Sequence, residues 1–426
     1  MRRFVVTAAL VLCGLCGWTG LRGQGTADGA RWLERADIKA AIKAVRRGEP
    51  TVLREQMEIC AVPAPLMKEA TRGALLKRKF EALGLTRVRV DEAGNVLGER
   101  PGRRARPNLV LTAHLDTVFP AGTAVTPKRD GRLISAPGIA DDARGLAVLL
   151  GVIRALDAAK VQTEGTITFV ATVGEEGLGN LHGVRELFDR TLKGAADAFV
   201  SVDGSGLDVT NVGVGSHRYR VTFKGPGGHS FGDFGLANPV HALGRAVAQI
   251  ADLEVPSSPR TTFNVGRIGG GTSINSIAYE SWMEVDMRSA DPTALAGVDA
   301  RFHEAVDRAL EQENARWDGR GRLAVTKDLV GDRPPGRTPP DSAIVRTALD
   351  VTRALGHPPE LGEGSTDANY PMSLTIPAIT IGGGGSARGA HSLSESFDST
   401  ESWQGTARAL ALAVALVSRE RGVGRR

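Results

Sequence analysis

Histidines and acidic residues recur at five places in this chain, in short motifs whose side chains could bind a metal ion or transfer a proton. The motifs are HLD at 114–116, GIADDARG at 138–145, GEEGLG at 174–179, VDGSG at 202–206 and GAH at 389–391. Imidazole and carboxylate ligands without thiolates suit Zn²⁺, with Co²⁺ or Mn²⁺ as alternatives. The residue types therefore predict a metal site if the fold brings these motifs together.

Each of these residues taken alone also has a purely structural explanation. His114 could be a hydrogen-bonded core histidine, Asp141 the N-cap of a following helix, and Asp203 a turn residue before glycine. The glutamates at 175–176 could form a solvated turn, and His391 could lie in a surface loop. Five such coincidences, each near the end of a predicted strand or helix, are less probable than one shared site.

The number of ligands predicts two metal ions. Two imidazoles and three carboxylates are available, from His114, Asp141, Glu176, Asp203 and His391. If Asp141 bridges two ions about 3.5–4 Å apart, each ion has the bridge, one histidine and one further carboxylate. An open position then remains for water, as catalytic zinc requires.

Two further acids are predicted to support this centre. Asp116, two residues after His114, could accept the second ring N–H of that histidine and fix its tautomer. Glu175 would stand free beside a metal-bridging water, take its proton, and deliver that proton to the departing nitrogen.

The elements that must position these residues are those of an α/β domain. Buried strands are predicted at 108–113, 166–172, 198–202 and 376–381, with helices at 145–156, 342–355 and 402–418. Alternation of buried strands and helices predicts a mostly parallel sheet with helices on both faces. Ligands bind at the carboxyl ends of strands in such sheets, where the motifs lie.

A second unit is predicted within this domain, at about 214–327. Its elements follow the order βαββαβ of the ferredoxin-like fold, with strands at 217–224, 261–268, 277–288 and 322–329 and helices at 239–253 and 292–317. Arg288 lies on the polar face of the third strand.

The motifs together resemble a known family. HLDTV, GIADDARG, GEEGLG, VDGSG, GGHS and the late His391 are similar to those of the di-zinc metallopeptidases that include peptidase T, glutamate carboxypeptidase and aminoacylase. The resemblance implies a zinc-exopeptidase-like catalytic domain at 36–213 and 328–420 with an inserted lid or dimerisation domain at 214–327. It implies metal at the five ligands named above and general-base work by Glu175.

The resemblance also assigns three lid residues. His229, in GGHS, matches a histidine that polarises the scissile carbonyl, often from the lid of the neighbouring subunit of a homodimer. Asn275 matches a substrate-binding asparagine, and Arg288 matches an arginine that clamps a substrate carboxylate.

Hydrolysis of amide bonds in small peptides is the expected reaction. Asp at position 203 favours an aminopeptidase or a di- or tripeptidase by analogy within the family, and a carboxypeptidase or N-acyl-amino-acid deacylase is the alternative. A serine hydrolase is a mechanistic competitor, because residues 228–232 fit G-x-S-x-G. A secreted peptide- or metal-binding protein without catalysis is another, although it gives Glu175 no purpose.

Composition and the N-terminal segment limit the partners and the cellular location that we expect. The 426 residues carry a net charge of +5 without a basic stripe interleaved with aromatics, so nucleic-acid binding is not expected. Residues 1–25 are predicted to be a signal peptide cleaved near 23–27, which implies export to the periplasm or beyond. Of the three cysteines only Cys60 follows that segment, and no later apolar run is long enough to span a membrane.

Overall fold

The computed structural model describes residues 33–418. The predicted signal peptide at 1–25 lies outside these residues. The helices are α1 (Ala36–Cys60), α2 (Ala70–Ala82), α3 (Ala143–Ala158), α4 (His182–Glu186), α5 (Pro239–Ala251), α6 (Pro292–Arg316), α7 (Ala343–Ala354), α8 (Asn369–Ser373) and α9 (Trp403–Ser418), with a 3₁₀ turn at Gly177–Gly179 and a π turn at Leu187–Thr191.

The strands build one large sheet and three smaller ones. In chain order they are β1 (Thr86–Val90), β2 (Val96–Arg100), β3 (Asn108–His114), β4 (Lys128–Asp130), β5 (Leu133–Ser135), β6 (Thr166–Thr172), β7 (Ala198–Val202), β8 (Val209–Gly213), β9 (Gly215–Lys224), β10 (Gly228–His229), β11 (Thr261–Gly270), β12 (Ser276–Ile277), β13 (Glu280–Ser289), β14 (Ala324–Arg333), β15 (Gly336–Arg337), β16 (Leu361–Gly364), β17 (Ala378–Ile381), β18 (Ser386–Arg388) and β19 (Ser396–Asp398).

The large sheet has the order β1-β2-β6-β3-β7-β17-β8-β15, with β16 beside β8. Its central strands β6, β3, β7 and β17 run parallel to one another. Its outer strands β1, β2 and β15 pair antiparallel. The predicted α/β class with a mostly parallel sheet is confirmed, and the parallel strands all end at the same edge.

Both faces of this sheet are buried, as the continuous apolar strands predict. On β3, Leu109 and Leu111 pack into the cluster that contains α1, α3 and α9. Val110, between them, packs on the opposite face with the segment at 181–192. The helices thus hold the sheet rigid from both sides and fix the loops at its edge.

The second unit has its own antiparallel sheet and its own core. The sheet order is β11-β13-β9-β14, the topology of a ferredoxin-like fold, and α5 and α6 cover one face. Tyr219, Val221 and Phe223 alternate along β9 and are buried against these helices. We call this unit the lid.

The lid extends further than the sequence predicts. Strand β14 continues to Arg333, six residues past the predicted boundary at 327. The alternation of apolar residues ends at Leu329, so the sequence pattern does not indicate the last residues of the strand. In the structure, β14 pairs with β9 as far as Arg333 opposite Ser216, after an irregularity between Leu329 and Gly331.

A small sheet of order β18-β19-β5-β4 completes the fold and was not predicted, because its strands have only three residues each. Among residues 33–418, none of the helices has the length and apolarity that a bilayer crossing would need.

Candidate metal centre

Five predicted ligands meet at the carboxyl edge of the large sheet. His114 ends β3, Asp203 directly follows β7, and Asp141 precedes α3. The Nε2 atom of His114 lies 2.9 Å from Oδ1 of Asp141 and 3.9 Å from Oδ1 of Asp203. These three side chains form one group whose ligand atoms lie within 4.8 Å of one another.

The second group lies on the other side of Asp141. Nε2 of His391 is 3.0 Å from Oδ2 of Asp141 and 3.1 Å from Oε1 of Glu176. Asp141 therefore presents one oxygen to each histidine, the arrangement that a carboxylate bridging two cations requires. His391 comes from the loop after β18, where its backbone has a left-handed φ of 63°.

The charges of these groups fit two cations. Burial, together with the nearby carboxylates of Asp141 and Glu176, raises the pKa of Asp203 to about 7 against the lowering effect of His114. Hydrogen bonds to Asp141 and Glu176 raise the pKa of His391 to about 10. Carboxylates crowded together in a buried place need compensating positive charge, which divalent ions would supply.

Asp116 lies beside His114 at the centre, and its carboxylate has further contacts. Nδ1 of His114 lies 3.1 Å from the main-chain oxygen of Asp116 and 3.6 Å from its carboxylate. The carboxylate also accepts the backbone N–H groups of Glu175, at 3.1 Å, and Glu176, at 2.8 Å. Asp116 therefore fixes the backbone of both glutamates and contacts the ring of His114 at the same time.

Replacing Asp116 with asparagine is expected to lower kcat by about 10- to 100-fold, because an amide offers one acceptor where the carboxylate offers two. Kinetics and metal analysis of the purified variant measure this. Asp291→Asn is the control, since Asp291 also accepts a backbone N–H but caps α6 in the lid. Full activity in Asp116→Asn would show that the two N–H bonds do not matter for catalysis.

Two buried acids that sequence reasoning did not identify hold the loops of the centre. Asp142, and not Asp141, caps α3 through Gly145 and also accepts the N–H of His114 at 3.1 Å. Glu395 accepts the N–H groups of Gly138 and Ala140, each at 2.8 Å, from residues more than 250 positions away in sequence. Asp142 thus caps the helix, so the side chain of Asp141 is free to bind metal.

Glu175 is buried beside the centre and is paired with an arginine that was also missed. Nη1 of Arg333, at the end of β14, donates to Oε1 of Glu175 at 3.1 Å, and the arginine also donates to the main-chain oxygen of Glu175. Burial raises the pKa of Glu175 well above its usual range, and Arg333 opposes that rise. A carboxylate with a raised pKa is suited to accept a proton near neutral pH.

A cavity of about 390 Å³ opens over the centre, between the large sheet and the lid. Its lining includes acids of the predicted centre and three arginines. The lining residues are Val118, Asp141, Glu175, Glu176, Gly177, Asp203, Arg218, Arg288, Arg333, Ser365, Thr366 and His391. A small molecule in this cavity would touch the centre at one end and guanidinium groups at the other. Arg288 thus lines the same cavity as the predicted metal ligands.

The other two predicted lid residues do not reach this cavity within the described chain. His229 and Asn275 are both exposed and lie side by side, because β10 pairs with β12 and Ser230 N–H donates to the main-chain oxygen of Asn275. Nδ1 of His229 accepts backbone N–H groups of Phe231 and Gly232. Both residues therefore face outward from the lid.

The structure does not support the serine-hydrolase alternative. The G-x-S-x-G match begins in β10, a strand of two residues, and continues into turns before α5 begins at Pro239. A nucleophile elbow needs a helix directly after the serine. Ser230 also does not line the cavity over the acids.

Comparisons with known proteins agree with this architecture. The sequence profile of peptidase family M20/M25/M40 matches residues 110–416. Carboxypeptidase G2 of Pseudomonas sp. (strain RS-16) is 33% identical over 327 residues, which cover 73% of this chain and 75% of that protein. Succinyl-diaminopimelate desuccinylase of Nitrosospira multiformis is 26% identical over 334 residues, covering 72% and 83%.

Solved structures agree as well. A tripeptidase from Staphylococcus aureus superposes with a TM-score of 0.71 at 25% identity, covering 87% of this chain and 98% of that one. Human carnosine dipeptidase 1 also gives a TM-score of 0.71 at 14% identity, covering 90% and 100%, and so shares the fold.

Proposed function

This chain belongs to peptidase family M20/M25/M40 and is a metal-dependent hydrolase of peptide bonds, and we propose that it cleaves small peptides as an aminopeptidase or a di- or tripeptidase. The observation that carries the proposal is the placement of Asp141 between His114 and His391, with Glu175 and Arg288 lining the same cavity. One side of that cavity can hold cations and the other can hold a substrate anion.

We propose that two divalent ions are held by five residues: His114, Asp141, Glu176, Asp203 and His391. The nitrogen and oxygen donors favour Zn²⁺, with Co²⁺ or Mn²⁺ as alternatives. When bound, such ions acidify water and polarise a carbonyl oxygen.

The chain's own residues supply the proton transfers. Glu175 accepts a proton from the attacking water and later donates it to the departing amine nitrogen. Arg333 donates a hydrogen bond to one carboxylate oxygen of Glu175. The other carboxylate oxygen of Glu175 has no hydrogen-bond partner among residues 33–418. Asp116 fixes the backbone of the base, and Arg288 orients the substrate by its carboxylate.

We propose that the active form is a homodimer through the lid, in which His229 and Asn275 serve the neighbouring subunit. Support comes from their exposure and from their absence from the lining of their own cavity. His229 would then donate to the carbonyl oxygen of the substrate as negative charge develops there.

His229→Ala is therefore expected to lower kcat by about 10²- to 10³-fold while metal content stays unchanged. A mixed dimer of His229→Ala and Glu175→Gln chains, made by co-expression, should regain part of the activity, because one of its two sites combines an intact base with an intact histidine. The same mixture of separately folded, unmixed dimers is the control. No regain in the mixed dimer would place His229 outside the partner's site.

A panel of peptides tests the proposed substrate class. Di- and tripeptides with free amino termini should be cleaved, and cleavage should stop in a chelator and return with Zn²⁺. Carboxypeptidase action is the second candidate, since carboxypeptidase G2 is the relative at 33% identity. Faster cleavage of N-acylated than of free-amine peptides would favour that candidate.

We also propose that the protein is exported. The support is the charged start, the apolar run and the small residues of positions 1–25 in the sequence. N-terminal sequencing of the mature protein, with a start near 23–27, tests it.

A further inference from the structure

Two arginines of the lid sheet share a single carboxylate at the border of the cavity. Arg218 on β9 lies directly opposite Asp286 on β13, and Arg288 follows two residues later on the same face. Nε of Arg218 donates to Oδ1 of Asp286 at 2.8 Å, and Nε of Arg288 donates to Oδ2 at 2.7 Å. The two guanidinium groups are therefore anchored side by side.

The way these arginines are anchored leaves N–H groups of both guanidinium groups available. Each guanidinium uses its Nε on Asp286, and the Nη atoms of Arg288 have no hydrogen-bond partner among residues 33–418. One Nη of Arg218 donates to the main-chain oxygen of Gly177, in the loop that carries Glu176. Both arginines line the cavity, so their remaining N–H groups are within reach of a bound molecule.

The net charge of Arg218, Arg288 and Asp286 is suited to binding one carboxylate. Burial acts to raise the pKa of Asp286, but hydrogen bonds from Arg288 and Arg218 lower it, so this acid is ionised at neutral pH. Two guanidinium charges and one carboxylate leave a net charge of +1. A planar guanidinium fork binds a carboxylate through two parallel hydrogen bonds, which fixes its orientation as well as its charge.

We propose that Arg218 is a second binding residue for the substrate's free carboxylate, and that Asp286 is the positioning residue that holds Arg218 and Arg288 together to form this subsite. The inference rests on the proposed function, in which Arg288 alone is assigned to that carboxylate. It specifies the substrate class as peptides whose terminal carboxylate is free, bound at the lid end of the cavity.

A structural role for the cluster does not account for its placement. The side chains of Arg288 and Asp286 are 39% and 31% exposed, and an ion pair as exposed as this one contributes little to fold stability. Arg218, 14% exposed, is held by Asp286 at the border of the cavity. The same two strands carry a matched pair, Arg220 and Glu284, which lie opposite each other at 2.8 Å but do not line the cavity. This pair provides a control of equal chemistry.

The test compares a tripeptide substrate from the panel with its C-terminal amide, in wild type and in four variants. Asp286→Asn and Arg218→Gln should each raise KM for the free acid by about 10- to 100-fold, while kcat and metal content change little. The same variants should leave KM for the amide unchanged. Glu284→Gln and Arg220→Gln should behave as wild type with both substrates.

The outcomes separate this inference from the function it rests on. If wild type prefers the free acid but the Asp286 and Arg218 variants keep that preference, the shared subsite is wrong and the proposed function stands. Equal losses with acid and amide would also contradict it, because they indicate a disturbed Gly177 loop. If wild type cleaves peptides but does not distinguish acid from amide, the carboxylate subsite is wrong and the peptidase proposal stands. If wild type cleaves no peptide, both proposals fail.

Discussion

Replacing Glu175 with glutamine is expected to lower kcat by about 10²- to 10⁴-fold while the protein keeps its metal ions. The amide has the same shape and can still accept the hydrogen bond from Arg333, but it cannot take a proton from water. Glu175 is buried, and its backbone is fixed by Asp116, so its carboxylate is held in place beside the centre. Steady-state kinetics with the best panel peptide measure the loss.

Metal analysis and thermal melting of the same sample provide the control for this variant. Glu176, the adjacent ligand, remains in place, so about two ions per chain should be retained. Glu92→Gln, an exposed acid paired with Arg190, is the matched surface substitution and should leave turnover unchanged. Undiminished turnover in a Glu175→Gln protein that still holds its ions would remove this residue from proton transfer.

Replacing Asp141 with alanine is expected to abolish the binding of both ions and with it all measurable hydrolysis. Asp141 faces each histidine with a different oxygen, so both groups of ligands lose a member at once. His391→Ala should lose only the ion shared with Glu176, because the group of His114, Asp141 and Asp203 stays complete. Metal analysis should therefore give about two, one and zero ions per chain for wild type, His391→Ala and Asp141→Ala.

Asp130→Asn serves as the control for this series, since Asp130 is exposed in β4 and does not line the cavity over the ligands. Circular dichroism separates loss of metal from loss of fold. Equal metal loss in the His391 and Asp141 variants would contradict a bridging role for Asp141.

The chemistry of the centre could be predicted from the sequence because each ligand stands next to a recognisable element. His114 ends a buried strand, Asp203 follows another, and Asp141 precedes an apolar helix. Parallel strands end at one edge of a sheet, so local patterns fix a common location. The lid followed from the same kind of pattern, with apolar alternation on β9 and helical periodicity in α6.

The supporting contacts could not be predicted in this way. Arg333 reaches Glu175 across 158 residues, and Glu395 reaches Ala140 across 255. Periodicity reports which face of an element is buried but carries no information on which distant side chain pairs with which acid. The backbone contacts of Asp116 were missed for the same reason, since its carboxylate accepts N–H groups of Glu175 and Glu176, 59 and 60 residues away.

The sequence by itself determined the residue types, their places at strand ends, and therefore a centre of two histidines and three carboxylates in an α/β domain with an inserted lid. Only the tertiary structure decided that Asp142 caps α3 while Asp141 stays free, and that Arg218 and Arg288 share Asp286. The physical reason is that secondary structure depends on local periodicity and capping, whereas hydrogen bonds and charge pairs depend on the packing of segments far apart in the chain.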